Sequence, residues 1–276
     1  MATDIPTDSS HVVREPGVLA AEYHPSVEHL VTEDDTPVDN IFSEKQQRLL
    51  TEPLYSSWNT SEPFLALANV GLFHSIRVPP YVPDALLSTG VRAPENPFPK
   101  SNRSYFVWEY GKVPDVVIEV VSNREGHEDV EKLSGYARIG IPFYVIYDPE
   151  LWLRDEPLRF YKLTGGQYQK LEGTIHMMPT IGLGITTWRG SFEGLSETWL
   201  RWTDLNGVPI PTGAERASAL QTLADAEQLR ADAEKQRADA EQQRADVEKQ
   251  RADAEHRRNQ LLLDQMKRLG ISPETE

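Results

Sequence analysis

The chain has 276 residues and a formal net charge of −15. Residues 1–50, 51–212 and 213–276 carry net charges of −7, −5 and −3 respectively. None of these three segments therefore has the basic excess of a protein that binds nucleic acid mainly through its phosphates. It contains no cysteine, which excludes disulfides and thiolate metal sites. Since no apolar run approaches the roughly 20 residues of a membrane helix and no leader pattern is visible, we expect a cytoplasmic protein with no membrane partner.

The N-terminal third predicts an acidic arm followed by one helix and several strands. Residues 1–40 are rich in Thr, Ser, Pro, Asp and Glu and lack periodicity, which predicts a disordered arm. Residues 41–51 predict a short helix that Ser43 could cap. Strand-like runs follow at 63–76 (one long strand or a hairpin), 81–88 and 104–110.

The centre of the chain predicts a parallel strand–helix–strand unit. Residues 114–122 are nearly all apolar and β-branched, as in a strand buried on both faces. Apolar residues at helical spacing then extend to Ile139, Gly140 is a natural helix end, and 142–149 form another buried strand. A hairpin at 158–172 and further short strands complete one domain, residues 41–212, with an α/β fold and a mixed sheet.

Residues 213–276 predict one long charged helix. Seven-residue repeats of the type Ala-Asp-Ala-Glu-Lys-Gln-Arg run from Ala224 to Arg258 in strong helix formers. This heptad spacing is typical of coiled coils, but the two alanines of each repeat lie about 200° apart on a helix and form no single apolar seam. We expect a mostly exposed helix over 214–269. Its more apolar end is the part expected to contact another subunit or a partner helix: Leu261, Leu262, Met266 and Leu269.

Two acidic residues interrupt strands that should be apolar. Glu119 lies within the strand at 114–122, and Asp84 heads the strand at 81–88. An unpaired carboxylate in a buried strand is unfavourable, so each must be paired or must bind a cation. Asp115 lies on the same strand face as Glu119 but about 13 Å away, too far to share an ion, and is expected to be structural. Asp84, on a neighbouring strand, is the better partner for a Mg²⁺ site.

Lys132 is the third candidate, on the helix that follows the Glu119 strand. Its ammonium can reach back toward the carboxylates and stabilise developing negative charge. Asp129 and Tyr136 lie on the same side of that helix and are supporting candidates. The alternatives are a core glutamate with a basic partner, a turn aspartate, and a solvated lysine that pairs with Glu128. The histidines have no ligand partners at zinc spacing.

Residues 113–150 resemble the Uma-type putative restriction endonuclease family of the PD-(D/E)XK nuclease superfamily. The resemblance covers roughly residues 60–205 and rests on short matching pieces: PD at 114–115, EVVS at 119–122, the Asp129–Lys132–Tyr136 spacing, the Gly140–Ile141 turn, YVIYDP, and VPD at 82–84. It implies a restriction-endonuclease-like fold in which Asp84 and Glu119 bind Mg²⁺. In the superfamily a lysine usually follows the glutamate by two residues; here that position is Val121, so the resemblance implies that Lys132 takes its place.

Two functions remain open from the sequence. The first is an endonuclease that uses Mg²⁺, or Mn²⁺, to hydrolyse phosphodiester bonds with DNA as its substrate; Asp84, Glu119 and Lys132 would carry the reaction. The second is a catalytically weak or inactive nuclease-fold scaffold that recruits partners through its C-terminal helix. The acidic composition favours the scaffold, and the resemblance favours the nuclease.

Overall fold

The computed structural model describes residues 21–32, 40–122 and 128–270 and divides the chain into two compact units, Met1–Ala214 and Glu215–Glu276. Most of the predicted acidic arm, residues 1–20 and 33–39, lies outside the described residues. None of the helices in the described ranges has both the length and the hydropathy needed to cross a membrane.

Within the described residues, the first unit combines three α-helices, two short 3₁₀ helices (Ala21–Tyr23 and Lys100–Asn102), a π-helical turn and eleven strands. The helices are α1 (Ile41–Ser57), α2 (Val107–Tyr110) and α3 (Leu133–Ile139), and the π-helical turn Glu128–Lys132 leads into α3. The strands are β1 (Phe64–Ala68), β2 (Leu72–Phe73), β3 (Ala85–Thr89), β4 (Tyr105–Phe106), β5 (Val116–Val120), β6 (Phe143–Tyr147), β7 (Leu158–Thr164), β8 (Gln167–Leu171), β9 (Ile175–Met178), β10 (Leu183–Phe192) and β11 (Leu195–Thr203).

The main sheet has six strands in the order β1-β3-β5-β6-β7-β8. β5 and β6 are parallel, whereas the other neighbouring pairs are antiparallel. The predicted strand–helix–strand unit and the mixed α/β sheet are therefore confirmed. A three-stranded antiparallel sheet, β11-β10-β9, and the short pair β2-β4 complete the unit.

The two faces of the main sheet belong to two different hydrophobic clusters. Along β5, Val116, Ile118 and Val120 face the cluster that contains Leu50 and Leu54 of α1. Val117 and Val121 face the opposite cluster, which includes Tyr136 of α3. Each large side chain buried in this way contributes about 1.5–3 kcal/mol. Because side chains alternate along a strand, Glu119 lies on the α3 side of the sheet.

Helix α1 is longer than predicted and begins differently. Its N-cap is Asn40, whose side chain accepts a hydrogen bond from the Ser43 amide at 2.9 Å, and the helix continues to Ser57 through Pro53. Pro53 removes one helical hydrogen bond, but burial of Leu50 and Leu54 against the sheet outweighs that loss. The prediction of a short helix capped by Ser43 is wrong, because this packing extends the helix.

The same helix also satisfies the exposed edges of two sheets. The Tyr55 hydroxyl accepts a hydrogen bond from the Ala66 amide and donates one to the Ala66 carbonyl of β1. The Gln46 amide exchanges two hydrogen bonds of 2.9 Å with the backbone of Leu200 in β11. Unpaired strand edges invite association with other chains, and these side chains cover part of both.

Two of the predicted strands are interrupted. Residues 63–76 form β1 and β2, which belong to separate sheets, and Asn69 between them has a positive φ of 55°. Residues 104–110 form the two-residue β4 and then α2, which ends at Gly111 with φ 70°. In both places the backbone changes direction next to a strand of the small β2-β4 sheet. The spacing of apolar residues along the sequence does not predict such a change.

The second unit consists of the long helix α4 (Gly213–Arg268), which begins in the last residues of the first unit. Its side chains are exposed along almost its whole length. Glutamines donate hydrogen bonds to aspartates four residues later, as between Gln228 and Asp232 at 3.0 Å. Such pairs stabilise an isolated helix by about 0.2–0.5 kcal/mol each. The predicted long, exposed helix is confirmed.

Candidate active site

Glu119 is a buried carboxylate in the middle of the main sheet. It lies in β5, and only 1% of the residue is exposed. One carboxylate oxygen, Oε2, accepts a hydrogen bond from Lys132 Nζ at 2.9 Å. The other, Oε1, accepts one from the Tyr136 hydroxyl at 2.7 Å. The π-helical turn and α3 therefore supply both donors, four residues apart on adjacent turns.

Burial dominates the electrostatics of this carboxylate. Desolvation, together with the nearby charge of Asp84, raises the pKa of Glu119 to about 8, although Lys132 and Tyr136 act in the opposite direction. Burial also raises the pKa of Tyr136 well above its ordinary value, so its hydroxyl remains a donor. Below about pH 8 the buried Glu119 side chain is therefore mostly protonated, and its ionised form is the unfavourable one.

Asp84 lies immediately before β3, the strand that neighbours β5. Ala85 of β3 pairs with Ile118 of β5 in an antiparallel register, so the residue before Ala85 is opposite Glu119. Oδ2 of Asp84 accepts a hydrogen bond from the Val120 amide at 2.8 Å. The alternative of a solvated turn aspartate does not describe this geometry, since the carboxylate is bound to the backbone of β5.

Lys132 is oriented into the site. Its amine pairs with Glu119, and a quarter of its side chain is exposed. The sequence left open a solvated lysine that pairs with Glu128; the ion pair with Glu119 spans 13 residues and joins the helix to the sheet. Asp129, the other supporting candidate besides Tyr136, has its side chain outside the described residues.

Gln47 is a member of the site that sequence reasoning missed. It is buried in α1, and its Nε2 donates a hydrogen bond to Oδ1 of Asp84 at 2.8 Å. The signal was present in the helical spacing: Gln46 and Gln47 share the buried face with Leu50 and Leu54. Buried amides at core positions indicate hydrogen-bond partners across the interface.

Asp115 has a structural role, as expected. Its Oδ2 accepts hydrogen bonds from the amide and hydroxyl of Thr89, at 2.7 and 2.9 Å. Lys112 Nζ also contacts it at 2.8 Å. These bonds tie the start of β5 to the end of β3 and keep the Asp115 carboxylate away from Glu119.

The two carboxylates fit a Mg²⁺ site of modest ligand number. Among the described residues, no group of three or more His, Asp or Glu side chains could hold a metal ion. Mg²⁺ is usually held by one or two carboxylates and keeps several waters, which substrate phosphates can replace. Asp84 and Glu119 are the two carboxylates that could hold such an ion, and a cation bound there would favour the ionised form of Glu119, which burial disfavours.

Comparison with models of protein families identifies a family for this chain. The family model Uma2, described as putative restriction endonuclease, matches residues 35–186, more than half of the chain. The matched segment includes α1, Asp84, β5, α3 and β6, and therefore all the site residues described above. A search of curated proteins returned no match.

Proposed function

The chain belongs to the Uma2 family of putative restriction endonucleases, and we propose that it is a Mg²⁺-dependent endonuclease that hydrolyses phosphodiester bonds of DNA. One observation carries the proposal: a fully buried glutamate, bound by a lysine and a tyrosine, lies beside an aspartate of the neighbouring strand. A buried acid whose pKa is perturbed both by desolvation and by a neighbouring carboxylate marks a candidate functional site.

Asp84 and Glu119 would hold the ion. The chemistry that Mg²⁺ supplies when bound is Lewis-acid chemistry, which lowers the pKa of a water molecule and neutralises charge on phosphate oxygens. Mn²⁺ has the same preference for oxygen ligands and is the alternative ion.

The protein's own residues position these two carboxylates. Gln47 and the Val120 amide bind one oxygen each of Asp84, and Tyr136 fixes Oε1 of Glu119. Partners of this kind orient metal-binding carboxylates, and their removal typically weakens metal affinity 10- to 100-fold, roughly. Glu119 lies within β5 and Asp84 directly precedes β3, so the pairing of these two strands sets the register of the two carboxylates.

Lys132 has a second task at the phosphate. Its ammonium stabilises the ionised form of Glu119, and it is partly exposed beside the carboxylates. During hydrolysis a water oxygen bonds to phosphorus, the bond to the leaving oxygen breaks, and negative charge builds up on the phosphate oxygens. A fixed ammonium next to that charge lowers the barrier.

The test uses the purified full-length chain and single-stranded, duplex and branched DNA. We expect cleavage in Mg²⁺ or Mn²⁺ that EDTA abolishes and that Glu119→Gln and Lys132→Ala reduce by at least about 100-fold. Arg189→Gln, an exposed change on β10, is the matched control and should cleave normally. A wild-type protein that cuts none of these DNAs with either ion would contradict the nuclease proposal.

The scaffold remains the second candidate because α4 exposes apolar side chains near its end. Leu261, Leu262 and Leu263 are 66%, 48% and 44% exposed. A protein without activity whose α4 variants lose a binding partner would fit this alternative. Binding by α4 alone would not contradict nuclease activity in the first unit.

A further inference from the structure

A row of aromatic rings leads from Glu119 toward the surface. Tyr136, whose hydroxyl binds Glu119, packs against Tyr81 with ring centroids 4.8 Å apart. Tyr81 in turn stacks on the imidazole of His74, at 5.7 Å and with the planes 21° apart. Tyr136 is fully buried, whereas Tyr81 and His74 are partly exposed. The row thus connects the candidate active site with a neighbouring patch of surface.

Tyr81 lies across helix α3 at Gly135. A Cβ added at Gly135 would collide with the Tyr81 hydroxyl, so only glycine leaves room for this ring. Lys132, Gly135 and Arg138 follow one another at steps of three residues, so on an α-helix Arg138 lies about 120° around from Lys132 and about 9 Å along the axis. The Tyr81 hydroxyl thus packs at the residue midway along the helix between the lysine of the site and Arg138.

Arg138 is an exposed cation to which the described residues offer no acidic partner. No carboxylate of the described part of the chain lies within 4.0 Å of its guanidinium. The neighbouring helical positions, Ser134 and Gly135, carry no charge. In a protein with 43 acidic and 28 basic residues, such an arginine beside the candidate active site is notable. Lys132, by contrast, already pairs with Glu119.

His74 lies close enough to Arg138 to sense its charge. Burial and the charge of Arg138 lower the pKa of His74. The Nδ1 atom of His74 is buried and has no hydrogen-bond partner in the described residues, which leaves Nε2 as the nitrogen that can meet a ligand. The charge of Arg138 disfavours the protonated form of His74, and an anion bound by both groups would offset that effect.

We propose that Arg138 and His74 bind a backbone phosphate of the nucleic acid next to the bond that is cut, with His74 stacked on Tyr81, whose hydroxyl packs at Gly135, one helical turn before Arg138. This phosphate contact, which rests on the proposed nuclease function, would allow an acidic protein to hold its polyanionic substrate. A guanidinium binds phosphate through two parallel hydrogen bonds, and the imidazole N–H supplies a third donor. Contacts of this kind position a duplex without reading its sequence.

The experiment measures DNA affinity separately from cleavage. A fluorescent duplex is titrated with full-length protein in EDTA and, in the Glu119→Gln background, in Mg²⁺, across about 50 to 200 mM salt. For Arg138→Gln we expect affinity to fall about 3- to 10-fold and the slope of log K against log salt to flatten by about 0.9, the value of one lost phosphate contact. Arg138→Lys should keep the slope, and His74→Gln should weaken binding while keeping the slope nearly unchanged.

Arg189→Gln on β10 is the control for a lost exposed arginine and should match wild type. Arg138 lies in the last turn of α3, where a cation also stabilises the helix end. The thermal unfolding temperature of each variant is therefore measured, so that a loss of stability is distinguished from a loss of DNA binding. A merely structural arginine would change unfolding but not the salt slope. If Arg138→Gln does not fold, Arg138→Lys and His74→Gln still test the contact.

The outcomes separate the two proposals. If wild type binds DNA and Arg138→Gln binds with the same affinity and slope, the phosphate contact is wrong and the nuclease proposal stands. If the salt slope of Arg138→Gln is flatter as expected but the wild type never cleaves DNA, the phosphate contact is upheld and the nuclease proposal is contradicted. If neither the wild type in EDTA nor Glu119→Gln in Mg²⁺ binds DNA, the phosphate contact and the nuclease proposal are both overturned.

Discussion

Replacing Glu119 by glutamine should make the metal-free protein more stable, and increasingly so as the pH rises. The amide keeps the size of the side chain and an oxygen that can accept the Tyr136 hydrogen bond, but it carries no charge. Glu119 is 1% exposed and lies between apolar strands, so its ionised form is the unfavourable one.

The size of the effect follows from the raised pKa of Glu119. Its ordinary value of 4.5 applies to the unfolded chain, and the folded value is about 8. A group whose pKa is raised by folding contributes stability that is complete below pH 4.5 and is lost as the pH rises through 8. With about 1.4 kcal/mol per pKa unit, the free energy of unfolding of the wild type should fall, relative to Glu119→Gln, by on the order of 5 kcal/mol.

Urea unfolding followed by tryptophan fluorescence measures this difference, since the chain has six tryptophans. Both proteins are unfolded in EDTA at several values from about pH 5 to about pH 9. Titratable groups that the two proteins share contribute equally to both free energies of unfolding. The pH dependence of the difference between these free energies therefore reports the residue at position 119. Glu95→Gln, in an exposed loop, is the matched control for exchanging a carboxylate for an amide away from the site.

A difference that stays within about 1 kcal/mol over the whole range would refute the reasoning, because Glu119 would then not hold an unfavourable charge. Added Mg²⁺ provides a second check at high pH. An ion that binds only the folded wild type stabilises it by mass action. The difference in the free energy of unfolding between the wild type and Glu119→Gln should therefore become smaller. No narrowing at any Mg²⁺ concentration would argue against Glu119 as a ligand.

Three further predictions concern the metal ligands, the hydrogen bond from α1, and the long helix. In calorimetry, Glu119→Ala should lose Mg²⁺ binding while Lys132→Ala keeps it and loses cleavage; equal Mg²⁺ affinity in wild type and Glu119→Ala would exclude this site. Gln47→Ala should weaken Mg²⁺ binding roughly 10-fold, because the Asp84 carboxylate loses a fixed donor, and an unchanged affinity would assign Gln47 a packing role alone. A chain ending at Ala214 should melt within a few degrees of the full-length protein and bind Mg²⁺ equally, since Met1–Ala214 is one compact unit; an unfolded product would show that the helix is part of the core.

The sequence determined those features that depend on neighbours along the chain. The apolar runs at β5 and β6 mark strands buried on both faces, and Gly140 ends α3 in the left-handed conformation with φ 89°. The alanine-rich repeats specify α4 through local helix propensity. Glu119 also stood out from the sequence, because a carboxylate inside an apolar strand needs a partner wherever the strand lies.

Only the tertiary structure decided which groups surround that carboxylate. The antiparallel register of β3 and β5 brings Asp84 opposite Glu119, and α1 contributes Gln47 from 37 residues before Asp84. Packing of α1 on the sheet also carried the helix through Pro53, which local propensity opposes. The stack that joins Tyr136, Tyr81 and His74 combines three separate segments of the chain. Contacts of this kind depend on which faces pack together, and no periodicity within one segment encodes them.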